Sequence, residues 1–415
     1  MSPLSQRVVS PHRLLWQLLI SVALGALLPC PSADAQTLTA DALFNDGVLH
    51  EIRLYVHPRD WETLKANFQL NDHYPAHFVW NGQTLRQVGI RSRGVGSRSG
   101  VKPGLRVDFN RYDSTQTLLG LTSVVLRNNT QDPSSLHERL SMKLFAQMGI
   151  PAPRTAHARL YVNDQYVGLY LIVEQIDRQF LARNFPESDG YLYNYQWASE
   201  YFFEYKGPAA SLYTPSPFEP ETHVNDPDPT PLVDMIRTIN EAPADGFLAT
   251  VSAFVDVQGF VRQAAVENFL ADNDGLVGYA GMNNFYLYRP RSSRVSTFIP
   301  WDKSEAFKAG PFHPTIYNID DIPVSVRNRL MDRVMMIQEI RDLYFDTLLA
   351  CAAFVSADGW LDQEIRREYE QVSQAAVDDP VKPFSNEQFE SDIQQLLEFA
   401  RLRSAAVIQD VQRRR

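Results

Sequence analysis

The chain has 415 residues, 44% of them hydrophobic and 21% charged, a balance that sustains a buried core and excludes disorder as the dominant state. Its 39 basic and 49 acidic residues leave a net charge of −10, which argues against nucleic acid as a partner.

Residues 1–36 read as a secretory signal peptide. Arg7, His12 and Arg13 form a weakly basic start, Leu14–Leu28 is mostly apolar, and Ala33-Asp34-Ala35 offers a small-x-small cleavage site before Gln36. A short membrane anchor is the competing reading, but the apolar run falls below the roughly 20 residues a spanning helix needs. With no later apolar segment of that length, the expectation is a secreted or periplasmic, extracytoplasmic protein without an integral membrane segment after cleavage. Past the leader only Cys351 remains, so no internal disulfide is available. It lies in the apolar helical run Leu348–Phe354 and reads as a buried, inert thiol.

Residues 37–130 read as β-rich with one helix. Glu51–Val56 alternates as a half-buried strand, Pro58 opens a helix carrying Trp61, Leu64 and Phe68, and strands follow around His77–Trp80, Leu85–Arg93 and Leu105–Phe109. The spacing predicts a helix over 132–149, capped by Asp132, with Leu136, Leu140, Leu144 and Met148 on one face and Gly149 at its end. Two strands, Ala158–Val162 and Gly168–Val173, share an Asn163-Asp164 turn. A hinge is expected near 174–190, and 206–231, rich in Pro, Ser, Asp and Glu, reads as a surface insertion without regular structure. Helices from about Leu232 and after Asp256, a β pair (Asn284–Tyr288 with Val295–Pro300) and a helical run from Arg341 complete the chain. In the final helix Phe389, Ile393, Leu396, Ala400, Val407 and Val411 form an apolar stripe.

Common catalytic signatures are missing: there is no Gly-x-Ser-x-Gly and no phosphate-loop Gly-x-x-x-x-Gly-Lys-Ser/Thr, and Pro75 spoils a helical zinc pair of His73 and His77. Two segments carry chemistry. Arg91–Phe109 combines glycines, hydroxyls, Arg93, Ser97 and Lys102, a composition that grips anions and equally suits a solvated hairpin loop. Asn268–Asp274, Asn283–Tyr288 and Ile299–Asp302 bring Asp, Asn and Asp to element ends, as hard-oxygen magnesium ligands with phosphates require; backbone preferences of Asn and Asp for turns account for the same pattern. A gripping cation early and acid–Asn–acid late is the division of labour of phosphoryl transfer, although His-Arg-Asp and Asp-Phe-Gly strings are absent.

An ordered set of strings resembles the CotH (spore coat protein H) kinase family of atypical, secreted kinase-like proteins. They are Val88–Gly94 with Lys102-Pro103, Leu119-Gly-Leu121, Leu126-Arg-Asn-Asn129, Asp132–Leu136, Gly149–Arg154, Leu160–Asn163, Gly168-Leu-Tyr170, Glu174–Asp177, Gly190–Tyr193, Asn284–Tyr288 and Ile299–Asp302. The resemblance implies an α+β, two-lobed, atypical protein-kinase-like fold, with a β-rich N-lobe over about 37–175 and a mainly helical C-lobe over about 176–415. It implies ATP with Mg²⁺ or Mn²⁺ as cofactors and phosphate transfer to Ser or Thr of a secreted or surface protein, by a monomer. Carried over by position, Lys102 grips the α- and β-phosphates, Arg93 and Ser97 belong to the phosphate loop, and Trp301 stacks on adenine. Asp274 is the catalytic acid/base, Asn284 and Asp302 hold the metal, and Glu174 has a nucleotide-side or structural role.

Two departures from the family pattern stand out. Ser304 occupies the place of a second acid two residues after Asp302, beside Glu305, and Asp274 lies ten residues before Asn284, which makes Gly275–Met282 a local insertion. The alternative function is therefore a weakly active or inactive kinase-like protein of coat or cell-surface assembly. A carbohydrate-binding reading rests only on Tyr201, Phe202, Phe203 and Tyr205 as exposed aromatics.

Overall fold

The computed structural model describes residues 38–198, 201–277, 282–314 and 327–415; the expected leader, and part of the expected insertion after Asp274, lie outside them. Contacts separate Met1–Thr39 from one unit, Ala40–Arg415, and the fold below is that of the latter.

Helix α1 (Ala40–Leu43) precedes β1 (His50–Val56), which buries every second residue. Helix α2 (Pro58–Ala66) starts on its proline, and β2 (Tyr74–Trp80), β3 (Gln83–Ser92), β4 (Leu105–Asp108) and β5 (Ser123–Arg127) follow. Strand β5 escapes a periodicity reading because all five of its residues are buried, so nothing alternates. Helix α3 (His137–Gln147) begins five residues later than its sequence predicts. Residues 132–136 instead form a turn in which the Asp132 carboxylate accepts the backbone N–H groups of Ser135 and His137. Strands β6 (Thr155–Val162) and β7 (Gln165–Glu174) meet at Asn163 and Asp164, whose φ of 49° and 64° suit a tight hairpin turn.

These seven strands close into a barrel in the order β1-β2-β3-β4-β5-β7-β6, sealed by parallel pairing of β1 with β6. Ile52, Phe78, Ile90, Val107, Leu126, Leu160 and Ile172 fill it. Because strand side chains alternate, the outer face of β3–β4–β5–β7 carries Arg91 opposite Arg106, Arg106 opposite Val125 and Val125 opposite Val173.

The expected hinge holds α4 (Arg178–Asn184), capped by Asp177. Then come β8 (Tyr191–Tyr195), β9 (Phe218–Pro220), α5 (Thr230–Glu241), α6 (Phe247–Val251), α7 (Val257–Phe269, capped by Asp256), β10 (Phe285–Arg289) and β11 (Thr297–Pro300). The second sheet runs β11-β10-β8-β9. Residues 206–231 are thus not wholly irregular: β9 pairs with β8, and a 3₁₀ turn sits at Ala210–Leu212. Nor are the aromatics before them exposed. Tyr201, Phe202 and Phe203 are buried, Tyr201 and Phe203 ring-to-ring with Phe218, and Tyr205 packs against the same core, which removes the basis of a carbohydrate-binding surface.

Helices α8 (Arg329–Val334), α9 (Gln338–Ser356), α10 (Trp360–Val377) and α11 (Asn386–Arg414) complete the chain. Cys351 is fully buried in α9, and burial pushes its thiol up to about 12. A third core joins the barrel's outer face to the second sheet through Val125, Val173, Tyr286, Ile299 and Trp301. The architecture is α+β, with a β-barrel N-terminal region and a helical C-terminal region. No helix among the described residues is long and apolar enough to cross a membrane.

Candidate functional site

Antiparallel pairing of β10 with β11 sets Phe285 opposite Pro300, and the Trp301 N–H donates to the Asn284 carbonyl at 3.0 Å. Asn284 and Asp302 therefore emerge at the same end of the pair, both in the left-handed region (φ 57° and 48°). Such backbone persists only where its surroundings enforce it. The Asn284 amide nitrogen donates to the carboxylate and to the backbone carbonyl of Asp274, each at 2.9 Å, which leaves its Oδ1 as acceptor. Asn283 Nδ2 donates to the other Asp274 carboxylate oxygen at 2.9 Å. Burial raises the Asp274 carboxyl above the usual range; the Asn283 hydrogen bond opposes the shift, and Asp272 and Asp302 add to it.

Lys303, fully buried, ties the two segments together. Its ammonium lies 2.8 Å from Glu267 and 3.0 Å from Asp272, two residues before Asp274. Burial lowers its pKa, but the two carboxylates outweigh burial and the net shift is upward.

Arg127, the last residue of β5, reaches the site from the barrel. Its Nη1 donates to Asp302 Oδ2 at 2.6 Å, and its Nε makes ion-pair contact with Glu138 in the first turn of α3. Arg127 is only 7% exposed, and its Nη2 has no hydrogen-bond partner among the described residues. Burial would raise the Asp302 carboxyl, yet Arg127, Arg93 and the Ser304 hydroxyl, which donates to Oδ1 at 3.0 Å, hold it below its ordinary value. Burial pushes Glu138 up to about 7 against the opposing pull of Arg127, and burial beside Arg127 lowers Arg93 to about 10. The guanidinium groups of Arg127 and Arg93 lie 5.1 and 5.4 Å from the Trp301 ring centre.

Of the residues singled out from sequence, Arg93, Asp274, Asn284, Trp301 and Asp302 thus come together. Lys102 sits elsewhere: 3% exposed, its ammonium donates to Asp379 at 2.6 Å and to the Leu169 carbonyl at 3.0 Å. Among the described residues, Asp302 takes its ion pair from Arg127. The Ser97 carbonyl accepts from Asn128 Nδ2 at 2.9 Å, which fastens the glycine-rich loop to the residue after β5. Glu174, 1% exposed, is ion-paired with Arg154 and Arg183 at 2.6 and 2.5 Å and joins the end of β7 to the residue before β6 and to α4. Sequence reading missed Arg127 and Glu138. The Leu126-Arg-Asn-Asn129 string held the first, but without β5 nothing aimed its arginine at Asp302.

An orphaned buried donor on Arg127 beside Arg93 fits a phosphate oxygen. Asn284 Oδ1 and the Asp302 carboxylate are hard oxygens suited to Mg²⁺. Two further groups have metal-ligand spacing, Asp132/His137/Asp392 and Asp46/Glu364/Glu368. Arg139, Lys143 and Arg367 already ion-pair the second group. In the first, the histidine ring faces hydrogen-bond acceptors on both nitrogens.

A family model described as CotH kinase protein matches residues 90–407. The inner spore coat protein H of Bacillus subtilis (strain 168) is 26% identical over 87% of this chain and 97% of its own length. An inner spore coat protein H-like protein of the same organism is 27% identical over 24% of this chain and 34% of its own length. Among solved structures, the Helicobacter pylori proinflammatory kinase CtkA covers 75% of this chain and 93% of its own at 11% identity, with a TM-score of 0.34. At that score the likeness establishes nothing about this chain.

Proposed function

Because the chain belongs to the CotH kinase protein family, we propose that it is a kinase-like protein of cell-surface or coat assembly, which binds ATP with Mg²⁺ or Mn²⁺ and transfers phosphate weakly. In this reading the barrel and the helical region are the two lobes of an atypical kinase, and the nucleotide lies between them. Arg127, anchored by Glu138, takes the part of the phosphate-gripping cation paired with a helix glutamate. Asn284 and Asp302 hold the metal, which supplies charge neutralisation of the phosphates. The signal-like leader supports an extracytoplasmic location, with a surface protein as partner.

One observation carries the weak-transfer reading: the metal segment offers a single carboxylate, Asp302, already paired to Arg127 at 2.6 Å, with the Ser304 hydroxyl where the family pattern has an acid. A second reading, an efficient protein kinase, is favoured by Asp274, whose raised carboxyl between two asparagine amides suits a base that takes a hydroxyl proton. Calorimetry with Mg-ATP, followed by incubation with radiolabelled ATP and the Ser304→Asp variant, separates them. Nucleotide binding with little transfer, raised by Ser304→Asp, supports the first. Rapid autophosphorylation of the wild type supports the second, and absence of nucleotide binding refutes both.

A further inference from the structure

His137 opens α3 directly before Glu138, and its ring is almost fully buried. Nδ1 lies 3.1 Å from the Ser304 carbonyl, and Nε2 lies 3.0 Å from an Asp392 carboxylate oxygen of α11 and 3.7 Å from Asp132. A carbonyl and a carboxylate both require a donor, so the ring carries a proton on each nitrogen. The electrostatics agree: burial alone lowers its pKa, but Asp132 and Asp392 raise it to about 9. A cation at the start of a helix opposes the helix dipole, so this arrangement is costly unless something else requires it.

What it touches is the segment that carries Asp302. The ring packs against Phe307 at 5.6 Å between centroids. Phe307 and Asp302 both have positive φ, at 68° and 48°, so the segment between them needs external support. Within it, Lys303 is held by Glu267 and Asp272, and Asp302 by Arg127. The Ser304 carbonyl takes its side-chain hydrogen bond from His137, while the same residue's hydroxyl binds Asp302. Asp392 also accepts the Ser134 N–H at 3.1 Å, so α11 fixes the turn from which the ring projects.

We infer that His137 is a positioning residue: its imidazolium, keyed by Asp392 of the final helix, holds the Ser304 carbonyl and thereby sets Asp302 for its ligand. The bearing on metal rests on the reading of Asp302 given above; the bearing on the loop does not.

The two amide residues separate the ring's contacts. Asn at 137 offers a donor where Nδ1 stands and Gln offers one where Nε2 stands. His137→Asn therefore retains the Ser304 link and loses Asp392, and His137→Gln does the reverse. Hydrogen exchange on the full chain reads the Ala306 and Phe307 amides, which are bonded to the Lys303 and Leu270 carbonyls. Their exchange should speed up about tenfold in His137→Gln, the worth of one charge-assisted hydrogen bond, and much less in His137→Asn. Glu368→Gln, at the equally buried His157 pair, is the control for general loosening. Calorimetry should show Mg-ATP affinity down about 10- to 100-fold in His137→Gln, with metal-free ATP binding unchanged. Asp392→Asn, the milder variant, should move both readouts in the same direction. Equal exchange in the Gln and Asn variants, or loosening matched by Glu368→Gln, overturns the inference. If the wild type binds no Mg-ATP, the proposed function falls, and the exchange comparison still decides whether His137 positions the loop.

Discussion

Replacement of Lys102 by alanine divides two roles for one ammonium. The Lys102–Asp379 pair is 2.6 Å long with side chains 3% and 2% exposed. Burial lowers the Lys102 pKa and Asp379 opposes that shift. Asp379 also accepts the backbone N–H groups of Leu169 and Val381, and it approaches Gly168 so closely that a Cβ there would lie 2.5 Å from its carboxylate. The carboxylate is therefore fixed and cannot follow water if its partner is removed. Loss of one partner of a buried pair costs about 3–5 kcal/mol, a large share of the roughly 5–15 kcal/mol that holds a domain folded. Urea unfolding of Lys102→Ala, followed by tryptophan fluorescence, should show that loss, while Lys102→Met with Asp379→Asn, which removes the unpaired charge and keeps an amide oxygen for a backbone N–H, should recover part of it. Mg-ATP affinity of the folded fraction should stay close to that of the wild type. A variant destabilised by less than about 1 kcal/mol that loses Mg-ATP affinity about tenfold would refute this reasoning and return Lys102 to the phosphates.

Arg127→Lys keeps the charge but cannot span Asp302 and Glu138 with one planar fork, and Mg-ATP affinity by calorimetry should fall about tenfold. Asp302→Ala should cost about 2 kcal/mol of Mg-ATP affinity and little affinity for metal-free ATP. Asp274→Asn should bind Mg-ATP within a few-fold of wild type while radiolabel transfer drops about 100-fold; an affinity loss equal to that of Asp302→Ala makes Asp274 a metal ligand instead. The folded-state pKa of His137 is raised to about 9 from 6.5. Its stabilising contribution, about 3 kcal/mol, is therefore fully present below pH 6.5 and is lost as pH rises through 9. Urea midpoints of wild type and His137→Gln should accordingly converge between those values.

Local chemistry alone determined much of this protein. Alternation marked β1, the Asn163-Asp164 pair marked the β6–β7 turn, Asp256 marked the start of α7, and apolar spacing marked α11, because each signal acts within a few residues. The residues at the ends of β10 and β11 were legible for the same reason: Asn284, Trp301 and Asp302 stand at fixed offsets from one pairing register. Tertiary structure decided what sequence spacing cannot encode. Strand β5 is buried on both faces, which erased its periodicity and hid Arg127, the arginine that donates to Asp302. The aromatics at 201–203 looked exposed until β9 folded over them. Lys102 stands in the loop whose composition suits anions, but its partner lies 277 residues away, just past the end of α10, and only packing brings that carboxylate to it. A side chain's type fixes what it can bind, and the fold chooses which of several acids or cations stands within reach.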